Sequence, residues 1–208
     1  MSEAAVLHPA VEPAETPLTP ESWGKLGMWV FLAGDAMSFG CLLVGYGLLR
    51  SSSPNWPVPS QVLGVGLTAF MTFLLICSSV TMVKGLEAVK HNQRSTAKNY
   101  LLLTVLGGAG FLGLQAYEWT HLIHEGLKIY ENPWGSPLFG TTFFVITGFH
   151  GMHVTGGVIY LIAMLFIVSK PETALGPVWA YNVVEISGLY WHFVDLIWIM
   201  VFTFVYLL

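Results

Sequence analysis

The stretch MWVFLAGDAMSFGCLLVGYG, residues 28–47, is apolar almost throughout and contains one charged residue, Asp35. A helix that crosses a bilayer needs about 20 consecutive, mostly apolar residues. The stretch therefore predicts a transmembrane helix. The carboxylate within it needs an explanation, because a charge at the bilayer centre costs between about 2.5 and 17 kcal/mol.

The composition of the whole chain agrees with a membrane protein. Of its 208 residues, 54% are hydrophobic and 10% are charged, whereas soluble domains carry about 25% charged residues. The net charge of −4 says little about the body of the chain, and nothing favours a nucleic-acid partner. The two cysteines, Cys41 and Cys77, form no C-x-x-C motif and are interpreted as packing residues.

Five apolar runs are each long enough to span a membrane, and they predict an all-α, polytopic bundle of five transmembrane helices. Residues 1–24 precede them, are rich in Pro, Glu and Ala, and lack the pattern of a secretory signal. We expect these residues to form a flexible tail, and residues 25–208 to form the membrane domain. The predicted spans are 26–49, 61–83, 100–122, 138–168 and 181–208.

The distribution of basic residues predicts the orientation. The loop from Lys84 to Asn99 carries four cations against a single acid, Glu87. Cytoplasmic loops are enriched in Lys and Arg, so this loop is expected inside, with the amino terminus cytoplasmic and the carboxyl terminus periplasmic. Lys25 and Lys170 then also lie on the cytoplasmic side, and Arg50 is the exception.

The glycine-rich segment GGAGFLG, residues 107–113, lies inside the third span. Small residues allow the backbones of membrane helices to approach closely. No strand precedes the segment and no phosphate-binding lysine follows it, so we interpret these glycines as packing positions and not as a nucleotide loop.

Polar residues inside the spans are the candidate functional residues, because they are costly there. In the third span they recur every three residues and share one helical face, which Glu125 extends; those in the fifth span also share a face. Such stripes predict a polar network facing protein or lipid headgroups. Its members are Gln115, Glu118, His121, His150, His153, Glu185, His192 and Asp195.

The motif HGMH places His150 and His153 one turn apart. Two histidines at this spacing suit a metal or haem site, but a closed site needs further ligands and the first two spans contain no histidine. We therefore favour hydrogen bonds between helices as the interpretation. Carboxylates and histidines in membrane helices can also relay protons. The residues alone therefore leave three alternatives open: a structural network, a haem-carrying cytochrome and a proton or ion transporter.

Four segments resemble subunit III of the haem-copper terminal oxidases, in the order and spacing of that family. They are LGMWVFLAGDAMSF (26–39), FLGLQAYEW (111–119), GTTFFVITGFHGMHVTGG (140–157) and VEISGLYWHFVDLIWIMVFTFVY (184–206). The resemblance covers residues 24–208. Longer members have seven helices, so this chain is similar to the short five-helix bacterial form. Asp35 stands where many members have glutamate.

The resemblance implies an accessory subunit without a redox centre in a proton-pumping respiratory oxidase of the bacterial cytoplasmic membrane. It implies no metal or cofactor in this chain, haem and copper in partner subunits, and bound phospholipid. Direct contact with subunit I is expected, with subunits II and IV in the same complex. The chain is then not catalytic alone. The electron donor, cytochrome c or quinol, is set by subunit II, and a nitric oxide reductase-type complex is a further alternative.

The resemblance also implies that Asp35 is a buried carboxylate near the side of proton uptake. With the amino terminus inside, Asp35 lies about nine residues into the first span, roughly 13 Å deep. An unpaired carboxylate there is expected to be protonated and to donate a hydrogen bond across a helix interface. Its role is either to hold two helices together or to tune the supply of protons.

Overall fold

The computed structural model describes residues 23–170 and 177–208, and all regular structure within these ranges is helical. The all-α prediction is confirmed. Most of the predicted tail, residues 1–24, lies outside the described residues. Its last two residues belong to the first helix, which begins at Trp23. The helices are α1 (Trp23–Ser52), α2 (Pro59–Val62), α3 (Val65–Lys90), α4 (Arg94–His124), α5 (Pro137–Ser169) and α6 (Pro177–Val201), which continues into a π-helix (Phe202–Leu207).

Five of these helices are long and apolar enough to cross a membrane, as the sequence predicts. The second span begins at Val65 and not at residue 61, because residues 59–62 form the separate short helix α2. Helix α2 starts at Pro59. Proline lacks an N–H group, but the first turn of a helix leaves that group without a partner in any case. The helix ends at Leu63, whose backbone is extended.

Helix α4 packs between α3 and α5, and α6 contacts α1, α3 and α5. Trp191 of α6 is the central packing residue: it is 1% exposed and donates from Nε1 to Ser78 Oγ of α3 at 3.0 Å. A Cβ on Gly157 of α5 would lie 3.0 Å from its ring, and a Cβ on Gly108 of α4 would overlap it. Trp191 therefore ties three helices to α6.

The packing role predicted for the segment 107–113 is confirmed at two of its glycines. Gly108 admits the Trp191 ring, and a Cβ on Gly107 would lie 2.7 Å from Ser78 Cβ. Gly113 of the same segment has nothing within 4 Å of a built Cβ. The packing interpretation of Cys41 and Cys77 is wrong, since both side chains are exposed on the outside of the bundle.

Two contacts group the basic residues at one end of the bundle. Lys25 Nζ of α1 lies 2.8 Å from Glu185 Oε2 of α6, and Arg94 Nη1 of α4 donates to the Lys170 carbonyl oxygen at 2.7 Å. The starts of α1, α4 and α6 and the end of α5 therefore share one side. The basic loop between α3 and α4 lies on this side as well.

We expect this end of the bundle to be cytoplasmic. Alkaline phosphatase, which is active only after export, should be silent when fused after Asn92 in the loop between α3 and α4. The same enzyme fused after Trp134, in the loop between α4 and α5 at the opposite end, should be active. High activity at Asn92 with none at Trp134 would reverse the orientation.

Candidate functional site

Asp35 of α1 is paired with His153 of α5. Its Oδ1 lies 3.1 Å from His153 Nε2, and the two side chains are only 9% and 11% exposed. The pair joins two helices at a similar depth: Asp35 is twelve residues from the start of α1, and His153 is sixteen residues from the end of α5 on the same side. From the sequence alone Asp35 was considered as an unpaired carboxylate, and the structure shows that His153 is its partner.

The hydrogen bonds of His153 fix where its protons lie. Its Nδ1 is 2.7 Å from the Phe149 carbonyl oxygen, which can only accept, so Nδ1 carries a proton. One further proton must lie between Nε2 and Asp35 Oδ1: either the imidazolium faces a carboxylate, or Asp35 is protonated and Nε2 accepts. The pair is thus a unit that holds one exchangeable proton. Asp35 Oδ2 has no partner among the described residues.

His150 shares the Phe39 ring with His153 but has no carboxylate beside it within the described ranges. It is 0% exposed and packs among the rings of Phe39, Phe111 and Trp198, with 4.9 Å between its ring centroid and that of Trp198. Neither ring nitrogen has a hydrogen-bond partner in the described part of the chain. A step of three residues leaves the two side chains about 60° apart around the helix axis. His150 therefore packs in the aromatic interior, whereas His153 reaches Asp35 of α1.

Glu118 of α4 is the centre of a second buried polar cluster. Its Oε1 lies 3.1 Å from Thr68 Oγ1 of α3, and its Oε2 accepts from Gln115 Nε2 at 3.2 Å and Tyr206 Oη at 2.9 Å. Glu118 is 3% exposed. The cluster joins α3, α4 and the π-helix, and the three donors satisfy a carboxylate that would otherwise be very costly here.

A cavity of about 370 Å³ lies beside Glu118, where α4 ends and α2 meets α3. His121 and Glu125 line it with Glu118, but both are exposed, and 3.7 Å separates His121 Nδ1 from Glu125 Oε1. The predicted stripe on α4 is thus divided. Gln115 and Glu118 lie in the buried cluster, whereas His121 lies near the helix end.

The polar stripe on α6 contacts two other helices. Glu185 forms the ion pair with Lys25 of α1, and His192 Nδ1 lies 2.7 Å from Ser79 Oγ of α3. Asp195 is 7% exposed, and its Oδ1 has no hydrogen-bond partner among the described residues. Glu185 therefore lies on the side of α6 that packs against α1, and His192 lies on the side that packs against α3.

Replacing His192 with Leu should weaken the α3–α6 contact by up to about 1–2 kcal/mol, the range of hydrogen bonds between membrane helices. Ser79→Ala removes the other partner and should have a similar effect. Both changes break the bond between Ser79 and His192, and Ser79 also contacts Asp195. The double variant should therefore lose less than the sum of the two single losses. Unfolding of the purified chain in mixed micelles measures all three, and strictly additive losses would show that the bond contributes nothing.

In the described part of the chain, no three His, Cys, Asp or Glu side chains are grouped so as to hold a metal ion. The sequence did not predict the serine and threonine residues that bond to the polar site residues, such as Thr68 and Ser79. Tyr206 was also missed. Hydroxyl side chains are unremarkable in membrane helices, and only the helix packing shows which of them meet a carboxylate or a histidine.

The chain is similar in sequence to known proteins. Residues 21–208 match the model of the family described as cytochrome c oxidase subunit III. The chain is 35% identical to cytochrome c oxidase subunit 3 of Bacillus subtilis, with 94% of each chain covered. It is 34% identical to quinol oxidase subunit 3 of Bacillus spizizenii (88% and 86% covered) and 34% identical to cytochrome bo(3) ubiquinol oxidase subunit 3 of Pseudomonas putida (88% and 84% covered). On this evidence the five-span chain belongs to the cytochrome c oxidase subunit III family.

Proposed function

We propose that the chain is a non-redox accessory subunit of a proton-pumping haem-copper oxidase in the bacterial cytoplasmic membrane. In this role it packs on catalytic subunit I, stabilises the complex, binds lipid and assists proton uptake. The observation that carries the proposal is the family match over residues 21–208. Some of the relatives are named as quinol oxidase subunits and others as cytochrome c oxidase subunits. The family match therefore does not identify the electron donor of the complex.

The exposed surface of α1 supports docking of a larger subunit. In the most apolar window of α1 only 17% of the residues are buried, against 33–44% in the other four spans. This helix leaves large apolar side chains outside the bundle, where a partner subunit or lipid would cover them. They include Leu26, Trp29, Val30, Met37, Val44 and Leu48.

The Asp35–His153 pair supports the role in proton uptake. It lies on this exposed helix, holds one exchangeable proton, and keeps Asp35 Oδ2 free of any partner among the described residues. Buried polar atoms are usually hydrogen-bonded, so an ordered water or a group of the partner subunit is expected at Oδ2. Such a contact would connect the pair to proton-carrying groups outside the chain.

The test is purification of the oxidase through an affinity tag on this chain. The tagged chain should retain a haem-containing subunit, and the complex lacking the chain should consume oxygen but lose activity sooner during sustained turnover. The isolated chain in vesicles should carry no ion flux. Ion flux by the isolated chain, or a haem spectrum that stays with it after the other subunits are removed, would contradict the proposal.

A further inference from the structure

A second pocket, of about 540 Å³, lies between the end of α4 and the start of α5. It is separate from the polar sites described above, and its walls are mostly apolar. Ile123 of α4 and Val145 of α5 are each 48% exposed, so the pocket opens on the outer surface of the bundle, near the membrane boundary. Its lining residues are Trp119, Ile123, Lys128, Ile129, Tyr130, Glu131, Phe144 and Val145.

The loop that borders this pocket is held in place by α5. Lys128 N donates to the Glu131 carbonyl oxygen at 2.8 Å, which closes a tight turn. Thr141 of α5 donates to the carbonyl oxygen of Ile129. The Lys128 carbonyl also lies so close to Gly140 that a Cβ there would overlap it. The turn therefore presents the side chains of Lys128 and Glu131 from a fixed backbone.

Lys128 and Glu131 place opposite charges side by side at the pocket. Their Nζ and Oε2 atoms lie 2.6 Å apart, and the side chains are 60% and 67% exposed, so both can exchange partners with a ligand. A headgroup that complements them carries a phosphate and, a short distance away, an ammonium with N–H donors. Ethanolamine phospholipids have both groups, whereas choline has no N–H and a glycerol headgroup has no cation.

We propose that this pocket binds one phosphatidylethanolamine molecule. An acyl chain lies against the apolar wall, the phosphate accepts hydrogen bonds from Lys128, and the ammonium donates to Glu131. Exposed Tyr130 suits the same boundary, where aromatic residues are enriched. The inference deepens the lipid-binding part of the proposed function and rests on it.

The two parts of the lipid act differently in this site. An acyl chain gains little by leaving the bilayer for an apolar pocket, because both surroundings are apolar. The apolar wall therefore controls access, and the headgroup contacts control which phospholipid is retained. Each exposed ionic contact is worth at most about a fivefold change in occupancy.

Native mass spectrometry of the purified complex, incubated separately with phosphatidylethanolamine, phosphatidylcholine and phosphatidylglycerol, tests the proposal. The wild type should retain the ethanolamine lipid best. Glu131→Gln should lower its retention by up to about fivefold and that of the choline lipid less, because choline loses only the ionic attraction and no hydrogen bond. Lys128→Gln should lower retention of all three. Val145→Trp fills the pocket and should abolish retention there. Ile159→Trp is the control, since Ile159 is 64% exposed on the same helix outside the pocket.

Equal retention of the three lipids by the wild type would overturn the inference, as would equal losses in the two tryptophan variants. A photo-crosslink from position 145 to another subunit would show that protein, and not lipid, occupies the pocket. Copurification and oxygen consumption of the same preparations report on the proposed function separately. An assembled, active complex without a preference for ethanolamine would refute this site alone.

Discussion

Gly108→Leu is expected to prevent the chain from assembling in its native form. Even an alanine Cβ at this position would overlap the Trp191 ring and lie 2.7 Å from Val158 Cγ2. The ring has little room to move away, because Nε1 is bonded to Ser78 and ring atoms Cε3 and Cζ3 lie against Gly157. Overpacking of a close-packed interior costs about 1–3 kcal/mol for added methylenes, and leucine adds four carbons at a rigid contact between three helices.

Gly113→Leu is the matched control, in the same helix and the same glycine-rich segment. Its built Cβ meets nothing within 4 Å, so the added side chain should enter lipid without loss. The yield of monodisperse chain after size-exclusion chromatography and its thermal unfolding compare the two variants. Gly108→Ala should be intermediate, since a helix-propensity gain of about 1 kcal/mol offsets part of its overlap. If Gly108→Leu and Gly113→Leu behaved alike, Trp191 would not fix the helices as described.

Hydropathy was sufficient to predict the five spans, because each lies in a continuous apolar run and nothing else competes for such a run in a membrane protein. The ends of the helices were less predictable. Helix α2 arises where Pro59 starts a turn and the extended Leu63 ends it, and hydropathy does not report backbone conformation. The packing glycines at 107 and 108 could be predicted as a group, but only the structure shows that Gly113 is not one of them.

The sequence identified the polar residues of the candidate site but did not predict which of them contact one another. Glu118 stood out as a costly carboxylate, yet its partner Tyr206 is 88 residues away and approaches through a π-helical end of the last span. No periodic pattern predicts such a π-helix. Likewise, HGMH suggested a common role for its histidines, but helix geometry gives His150 an aromatic cage and His153 a carboxylate.

Asp35 and His153 are a pair from two different helices whose contact the sequence could have suggested. Both lie at a similar distance from the same predicted membrane face, on helices of opposite direction, and each would be costly alone. What the sequence could not show is that α1 and α5 are neighbours, since three other elements separate them along the chain. The pairing turns the expected lone carboxylate into a two-residue unit with a shared proton.

Asp35→Leu is expected to weaken the chain's assembly with the oxidase, whereas Asp35→Asn is expected to preserve assembly and change turnover. Leucine leaves His153 Nε2 buried without a partner, which costs about 1–3 kcal/mol. Asparagine can donate from Nδ2 to Nε2, while Nδ1 remains bonded to the Phe149 carbonyl. The variant thus keeps the α1–α5 bond and loses the exchangeable proton. Ser38→Ala is the control on α1, because among the described residues Ser38 bonds within its own helix, to the Gly34 carbonyl.

The assembled complexes should be compared by oxygen consumption, by its decline over many turnovers and by its dependence on pH. If the shared proton assists uptake, Asp35→Asn should lose rate or endurance while its subunit content matches that of Ser38→Ala. Infrared difference spectra offer a direct readout, since a carboxyl C=O band that changes during turnover in the wild type should vanish in Asp35→Asn. An Asp35→Asn complex that equals the control in rate, endurance and pH profile, with no such band in the wild type, would make the pair a purely structural link between α1 and α5.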